Sequence, residues 1–343
     1  MRDEMVGVVF EGEGKLKIGN IPMPKIKNGD DVLIEVEAAS ICGTDVQILK
    51  VPAGHPANSG IVLGHEYSGK VKDIGRNVKG INIGDRVVME PAITCGNCVF
   101  CKAGYPNMCE DSTTLGIYTD GGFAEYSAVP VRVVHKISHE LSPDIAVFAE
   151  PLSCVVNAMD RLKLKLGDSV LVLGAGPIGL LFAKLLKASG AGNIYISEIS
   201  PYRKEIAVKC GFANIIDPSK EKVEEVISKS TNIGVDVVVD CVGSLLEQAV
   251  SCVRKGGKVL IFGLNSMVHS DIKPYDIAHK EIEVIGSFIA RYTFPAAIKI
   301  LENRVIDVSD MITGRYNIKD FEMGLEAMRS GSSIKVIIDF KQE

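Results

Sequence analysis

The chain has 343 residues, 46% of them hydrophobic and 24% charged, with a net charge of −5. That length exceeds a typical single core and predicts two domains. No basic stripe is present, so nucleic acid is excluded as a partner. No apolar run is long enough to span a bilayer, and the acidic start "MRDEMVGVVF" is no signal peptide, so no membrane partner is expected and the chain reads as cytoplasmic.

The first 150 residues carry short strand-like runs punctuated by glycine, among them "DVLIEVEAAS", "YSGKVKDIG" and "GDRVVME". Their alternation of apolar and polar residues predicts a small, irregular β domain. Cys42 in "SICGTDVQ", His65-Glu66 in "LGHEYSG" and Glu150 in "FAEPLSC" all have metal-ligating side chains. Each also has an ordinary reading: a core cysteine, a turn histidine, a carboxylate on a helix or loop. Their separation in sequence does not show that they meet.

Nine cysteines without a signal peptide argue against a disulfide framework. Cys95, Cys98, Cys101 and Cys109 form C-x2-C-x2-C-x7-C. Four thiolates at this spacing can wrap a tetrahedral ion within one loop. The bacterial iron–sulfur run has three residues before its last cysteine and then a proline. Here seven precede Cys109 and Glu110 follows it, so a closed structural zinc site is expected.

From about residue 168 the pattern changes. "SVLVLG" is a continuous apolar run, as for a strand buried on both faces. "PIGLLFAKLLKASG" has helical spacing, with Pro177 near its start and a glycine after its end. Strand and helix then alternate through "NIYISE", a helix opening at Ser200-Pro201, "NIIDP", "VDVVVDCV", "GKVLIFG" and "IEVIGSF". The fold class expected is α/β, with a doubly wound parallel sheet. The last 55 residues are too few for a domain and are expected to rejoin the first one.

Gly174, Gly176 and Gly179 spell "GAGPIG" between the first buried strand and its helix, around Pro177 and Ile178. In that context the glycines permit the tight turn, close backbone approach to a pyrophosphate and close helix packing. The helix N-terminus offers free N–H groups to the phosphates. Glu198 closes the second strand, where a carboxylate accepts from the ribose hydroxyls and repels a 2′-phosphate, favouring NAD over NADP. Arg203 either covers the adenine, meets a phosphate or is a solvated helix arginine. Gly263 and Leu264 join the expected cofactor site.

The order "CGTD", "GHEYSG", "GDRV", "CGNCVFC", "DGGFAEY", "EPLSC", "GAGPIG" resembles the zinc-dependent medium-chain alcohol dehydrogenases over nearly the whole chain. "GHE" with "EPLSC" is similar to the polyol branch: sorbitol, arabitol and galactitol-phosphate dehydrogenases, with threonine and butanediol dehydrogenases nearby. The resemblance implies a GroES-like catalytic domain over 1–153 and 289–343, with a structural zinc lobe at about 90–112, and a Rossmann domain over 154–288. It implies an active site in the cleft between them. It also implies a catalytic zinc held by Cys42, His65 and one or both of Glu66 and Glu150, so two zinc ions per chain beside NAD. Glu66 is either a ligand or a neighbour of metal-bound water. Asp45 is expected to orient a ligating imidazole, and Thr44 to be the relay hydroxyl.

Two positions depart from the family. Gln47 stands where many relatives end the proton relay with histidine, and His55 reads as a loop residue. Arg291 and Tyr292 correspond to the polyol-holding Arg–Tyr pair but are shifted, with Ile289 and Ala290 in the matching places. The expected reaction is oxidation of a secondary alcohol of a polyol or sugar alcohol, free or phosphorylated, to a ketose. Threonine and vicinal diols are the alternative substrates, and a non-catalytic zinc-stabilised nucleotide-binding protein is the rival class. The expected partners are a small-molecule alcohol and further copies of the chain, as a homodimer or homotetramer.

Overall fold

A computed structural model describes residues 3–340 and divides them into two compact units. One comprises residues up to Ser153 together with Arg291–Arg304 and Ile312 onward; the other comprises Cys154–Ala290 and Val305–Met311. The return to the first unit thus begins at Arg291. Val305–Met311, expected with the first unit, packs with the second.

The first unit is built on a seven-stranded sheet. Its path runs Val134–Lys136, Arg86–Met89, Tyr67–Ile74, Asp31–Ile41, Lys335–Asp339, Ile312–Asn317, and Tyr126–Pro130 also pairs with Asp31–Ile41. Three central strands set the geometry of one end of this sheet. Tyr67–Ile74 pairs antiparallel with Asp31–Ile41, with Tyr67 opposite Ala39. Lys335–Asp339 pairs antiparallel with the other side of Asp31–Ile41, with Val336 opposite Ile41. The C-terminal end of Asp31–Ile41 and the N-terminal ends of its two neighbours therefore lie side by side.

Behind this sheet the core gathers Val32, Ile34, Tyr67, Phe123 and Phe321, with the last two rings edge to face at 4.7 Å. Each such buried side chain contributes about 1.5–3 kcal/mol. The turn before Tyr67–Ile74 needs a glycine. Gly64 has φ 94°, and a Cβ there would sit 2.7 Å from the Phe123 ring. A short two-stranded sheet, Ala92–Ile93 with Thr113–Thr114, closes the neck of the segment that carries the four clustered cysteines.

The second unit holds a six-stranded parallel sheet in the order Asn214–Ile216, Ile194–Ser197, Val170–Leu173, Val235–Asp240, Val253–Ile261, Glu283–Gly286. The first three strands in sequence run outward in one direction and the rest in the other. Strand order therefore reverses beside Val170–Leu173, which is the usual place for a dinucleotide. Val170–Leu173 is fully buried, as its unbroken apolar run predicts. No helix among the described residues is long and apolar enough to cross a membrane.

Candidate metal and cofactor sites

Cys42 follows the strand Asp31–Ile41 and caps the short helix Gly43–Ile48. His65 and Glu66 precede the neighbouring strand, where Ser40 N–H donates to Glu66 O at 2.9 Å. Strand pairing thus joins residues far apart in sequence. The ligating atoms of Cys42, His65 and Glu66 all lie within 4.8 Å of one another. Asp45 stands beside two of these residues. It accepts the Cys42 backbone N–H at 2.8 Å and stands 3.6 Å from His65 Nδ1.

The charge balance of this site is unusual for a protein interior. Burial and the Glu66 carboxylate push the Cys42 thiol up, while His65 pulls it back. Burial raises Asp45 to about 6 against the opposing pull of His65. Burial disfavours the protonated form of His65, yet Cys42 and Asp45 outweigh it and lift its pKa well above the ordinary value. Two buried atoms, Asp45 Oδ1 and His65 Nδ1, have no hydrogen-bond partner. A thiol, an imidazole and a carboxylate gathered this closely fit a divalent cation, which would bind the sulfur as thiolate in place of its proton.

Glu150 begins the helix Ala149–Leu162. It stays outside the tight trio but is near enough for its charge to act on His65 and Lys335. Thr44 Oγ1 lies 3.7 Å from Cys42 Sγ. Gln47 is exposed, and His55 bonds locally to Pro56 O at 2.8 Å, as a loop residue does.

Sequence reading missed two members of this site. Lys335, only 2% exposed, ion-pairs with Glu66 Oε2, and Ser40 Oγ donates to the same oxygen. The ammonium also lies 5.5 Å from the Phe148 ring centroid. Burial would raise Glu66, but Lys335 and then His65 hold it below the ordinary carboxylate range. Burial would lower Lys335, but Glu66 and then Cys42 hold it above the ordinary lysine range. The available signal was a single lysine inside the apolar strand "IKVIIDF", where a charge needs a partner.

The four clustered cysteines converge as their spacing predicts, with ligand atoms within 4.8 Å of one another. Cys109 Sγ lies 3.5 Å from Cys95 Sγ. Backbone N–H groups of Cys95, Cys98 and Cys101 point at sulfurs of the cluster at 3.3–3.4 Å. The Cys101 N–H bond lowers the Cys98 thiol to about 6, so a thiolate is already favoured there. Four such sulfurs fit a closed tetrahedral ion.

Arg291 reaches into this lobe. Its Nε–H donates to Gly104 O at 2.8 Å and its guanidinium stacks 3.8 Å from the Tyr105 ring centroid. Tyr292 is 65% exposed, with φ 55°. The Nε–H and one face of the guanidinium are thus engaged within this lobe, and the Nη donors carry the remaining hydrogen-bonding capacity.

In the parallel sheet, Gly174 turns with φ 97°, and a Cβ on Gly179 would collide with Gly174 O. Gly176 caps the helix Pro177–Ala188, with Pro177 in its first turn and Ile178 half-buried beside it. Glu198, 5% exposed, accepts the Ala175 N–H at 2.7 Å and the Ser200 N–H at 2.8 Å. A carboxylate has about four acceptor positions, so two remain for a ligand. Arg203 places Nη1 3.7 Å from where a Gly176 Cβ would stand, and its buried Nε has no partner. That favours a phosphate-facing role over a solvated one. Gly263 N–H donates to Asp240 O at 2.9 Å, whereas the Leu264 side chain is 73% exposed.

A dinucleotide turn in one unit and two metal-ligand clusters in the other define a metal-dependent dehydrogenase. Residues 28–139 match the alcohol dehydrogenase GroES-like domain, and residues 177–303 match the zinc-binding dehydrogenase domain. Sorbitol dehydrogenase of Bacillus subtilis (strain 168) is 34% identical over 328 residues, covering 94% of this chain and 93% of that one. L-threonine 3-dehydrogenase of Escherichia coli (strain K12 / DH10B) is 34% identical over 344 residues, covering 96% and 98%. A dehydrogenase structure from Sinorhizobium meliloti 1021, bound to NADP, superposes with a TM-score of 0.94 at 33% identity, covering 99% of this chain and all of that one. The chain belongs to the zinc-dependent medium-chain alcohol dehydrogenases, with a GroES-like domain and a Rossmann domain. It is an NAD(P)-dependent oxidoreductase acting on small-molecule alcohols.

The Lys335–Glu66 pair yields a direct test. Breaking a buried pair from one side leaves an uncompensated charge and costs about 3–5 kcal/mol. Lys335→Met is expected to lower unfolding stability by that amount in denaturant titration, and adding Glu66→Gln to recover at least half. Glu66 sits below its unfolded pKa, so its contribution is lost only as pH falls below about 4. Lys335 sits above its own, so its contribution is lost only as pH rises above about 10. In Lys335→Met the ammonium no longer opposes the burial that raises Glu66, so the difference from wild type should be larger on the alkaline side of neutrality and shrink as pH falls and Glu66 takes up a proton.

Proposed function

We propose that this chain is an NAD-dependent zinc dehydrogenase that oxidises a secondary alcohol of a polyol or sugar alcohol, free or phosphorylated, to a ketose. The observation that carries the reading is the carboxylate-rich cluster: Cys42, His65 and Glu66 within 4.8 Å, with Glu150 acting on His65 from the adjoining helix. Cys42 and His65, with Glu66 or Glu150, are the residues that would hold the catalytic zinc. Cys95, Cys98, Cys101 and Cys109 would hold the structural one. Zinc bound at the first site would supply a Lewis acid that lowers the pKa of the substrate hydroxyl.

The remaining chemistry falls to the chain itself. Asp45 accepts the Cys42 backbone N–H and stands 3.6 Å from His65 Nδ1, where a small closure would let one carboxylate orient both ligands. Lys335 and Ser40 hold Glu66 by one oxygen and leave the other for the metal or for water bound there. Thr44 stands beside Cys42 and would receive the substrate proton. Gln47 is exposed and cannot act as a base, so the proton would leave to water. In the net reaction, a CH–OH group loses a hydride to NAD and a proton to water.

The retained Cys42–His65–Glu66 cluster argues against a non-catalytic nucleotide binder. The 34% identity to L-threonine 3-dehydrogenase supports a second substrate reading, a 2-amino-3-hydroxy acid. Polyols, sugar alcohol phosphates, vicinal diols and L-threonine should be screened for NADH formation. A polyol or its phosphate is expected to give the highest kcat/KM. Highest activity on L-threonine would replace the polyol reading, and activity confined to simple primary alcohols would reject both. Run with each dinucleotide, the same screen should prefer NAD by an order of magnitude or more, because a 2′-phosphate would meet the buried Glu198 carboxylate. The NADP-bound relative makes this a real test, and equal kcat/KM for the two cofactors would reject the assignment of NAD.

A homodimer or homotetramer is also proposed. The outer edge of Glu283–Gly286 has no partner strand among the described residues, and an open edge invites pairing with a second copy. A monomer mass by light scattering would refute it.

The two metal sites should separate on mutation. Metal analysis should find about two zinc ions per subunit, and about one after either Cys42→Ala or Cys98→Ala. Cys42→Ala should abolish turnover while NADH binding survives. Cys98→Ala should lower the melting temperature, because the lobe is held chiefly by its metal. One zinc in the native protein, or full activity in Cys42→Ala, would overturn the two-site assignment.

A further inference from the structure

Asn157 lies in the helix Ala149–Leu162, two turns beyond Glu150, and is 5% exposed. Its neighbours Val155, Val156 and Ala158 are buried and apolar. A primary amide in such surroundings is costly unless its polar atoms find partners. Asn157 Nδ2 lies 2.7 Å from Ile289 O, 3.3 Å from Phe288 O and 3.4 Å from Ser287 Oγ. Two of these are carbonyl oxygens, which only accept, so the network fixes which way the amide points.

Ser287, Phe288 and Ile289 are the first residues beyond the strand Glu283–Gly286, and Ser287 N–H is tied to Ile261 O at 3.1 Å. Ile289 has φ 38°. That conformation is sparsely populated for a β-branched residue. It persists only where neighbours over-determine it, and such residues cluster at ligand sites. The shortest Asn157 contact is to the carbonyl of Ile289 itself.

Strand order says what this loop faces. All six strands are parallel, so their C-terminal ends share one edge of the sheet. Glu198 and the Gly174–Gly179 turn lie at the ends of Ile194–Ser197 and Val170–Leu173, where they suit the adenosine and pyrophosphate. The residues left for the nicotinamide half follow the strands on the other side, and Ser287–Ile289 are among them. We infer that Asn157 is a positioning residue for the nicotinamide half of the cofactor. It binds three oxygens of Ser287–Ile289 and locks that loop in one conformation. The inference rests on the proposed binding of a dinucleotide by this unit.

The test compares two ligands that share the adenosine diphosphate half, NADH and ADP-ribose, by calorimetry on the full-length, zinc-loaded protein. Asn157→Ala is expected to weaken NADH about tenfold, because the loop must then be ordered at the moment of binding. ADP-ribose affinity should stay within about twofold, since its contacts lie elsewhere. Glycine adopts positive φ without strain. Adding Ile289→Gly to Asn157→Ala should therefore restore part of the lost NADH affinity. Equal weakening of both ligands would show a merely structural role and overturn the inference, as would unchanged NADH binding. If Asn157→Ala does not fold, Asn157→Ser, which keeps a donor, takes its place with the same criteria. Wild-type protein that bound neither ligand would overturn the cofactor reading and this inference with it, whereas binding of both by wild type isolates the question of Asn157.

Discussion

Four acidic groups, Cys42, Asp45, Glu66 and Glu150, gather where three adjacent strands end. Like charges in a dry interior repel strongly and lose their hydration. Such a gathering is stable only with positive charge among it. The chain supplies one part of that charge itself through Lys335, which is buried against Glu66 and under the Phe148 ring. A divalent cation held by Cys42, His65 and Glu66 would supply the rest. Much of the catalytic unit follows from this constraint.

The backbone answers the constraint through register. A one-residue slip between Tyr67–Ile74 and Asp31–Ile41 would turn every side chain of the slipped strand to the other face. The pairing of Tyr67 with Ala39 and of Val336 with Ile41 therefore sets where His65, Cys42 and Lys335 fall relative to one another. Gly64 makes the turn into this arrangement because the Phe123 ring occupies the space a side chain would need. The same buried aromatics that stabilise the unit thus also fix the approach of the histidine.

The parallel sheet works under a different rule. There the ligand is met by turns after successive strands, so each turn needs its own local device. Gly174 and Gly179 open one turn, Glu198 receives two backbone N–H groups at the next, and Asn157 braces the loop after the last strand from a helix. Glu198 is pre-organised for the role proposed for it. Its carboxylate is fixed by the N–H groups of Ala175 and Ser200, so little ordering would remain to be done on binding a ribose.

The sequence by itself determined the features whose physics is local. Strand–helix alternation announced the doubly wound sheet, "GAGPIG" announced the phosphate turn, and the spacing of Cys95, Cys98, Cys101 and Cys109 announced a metal lobe, because each lies within one turn or one loop. That Cys42 meets His65 and Glu66 was legible only through resemblance, since nothing local brings them together, and Glu150, expected on the same ground, stands outside that trio. Tertiary structure alone decided the rest. Lys335 meets Glu66 across most of the chain's length because two strands far apart in sequence flank the same third strand. Asn157 meets Ser287–Ile289 in the same long-range way. Arg291 meets the carbonyl of Gly104 and the ring of Tyr105, contacts that no sequence pattern announced, because packing brings an acceptor and an aromatic face to its guanidinium.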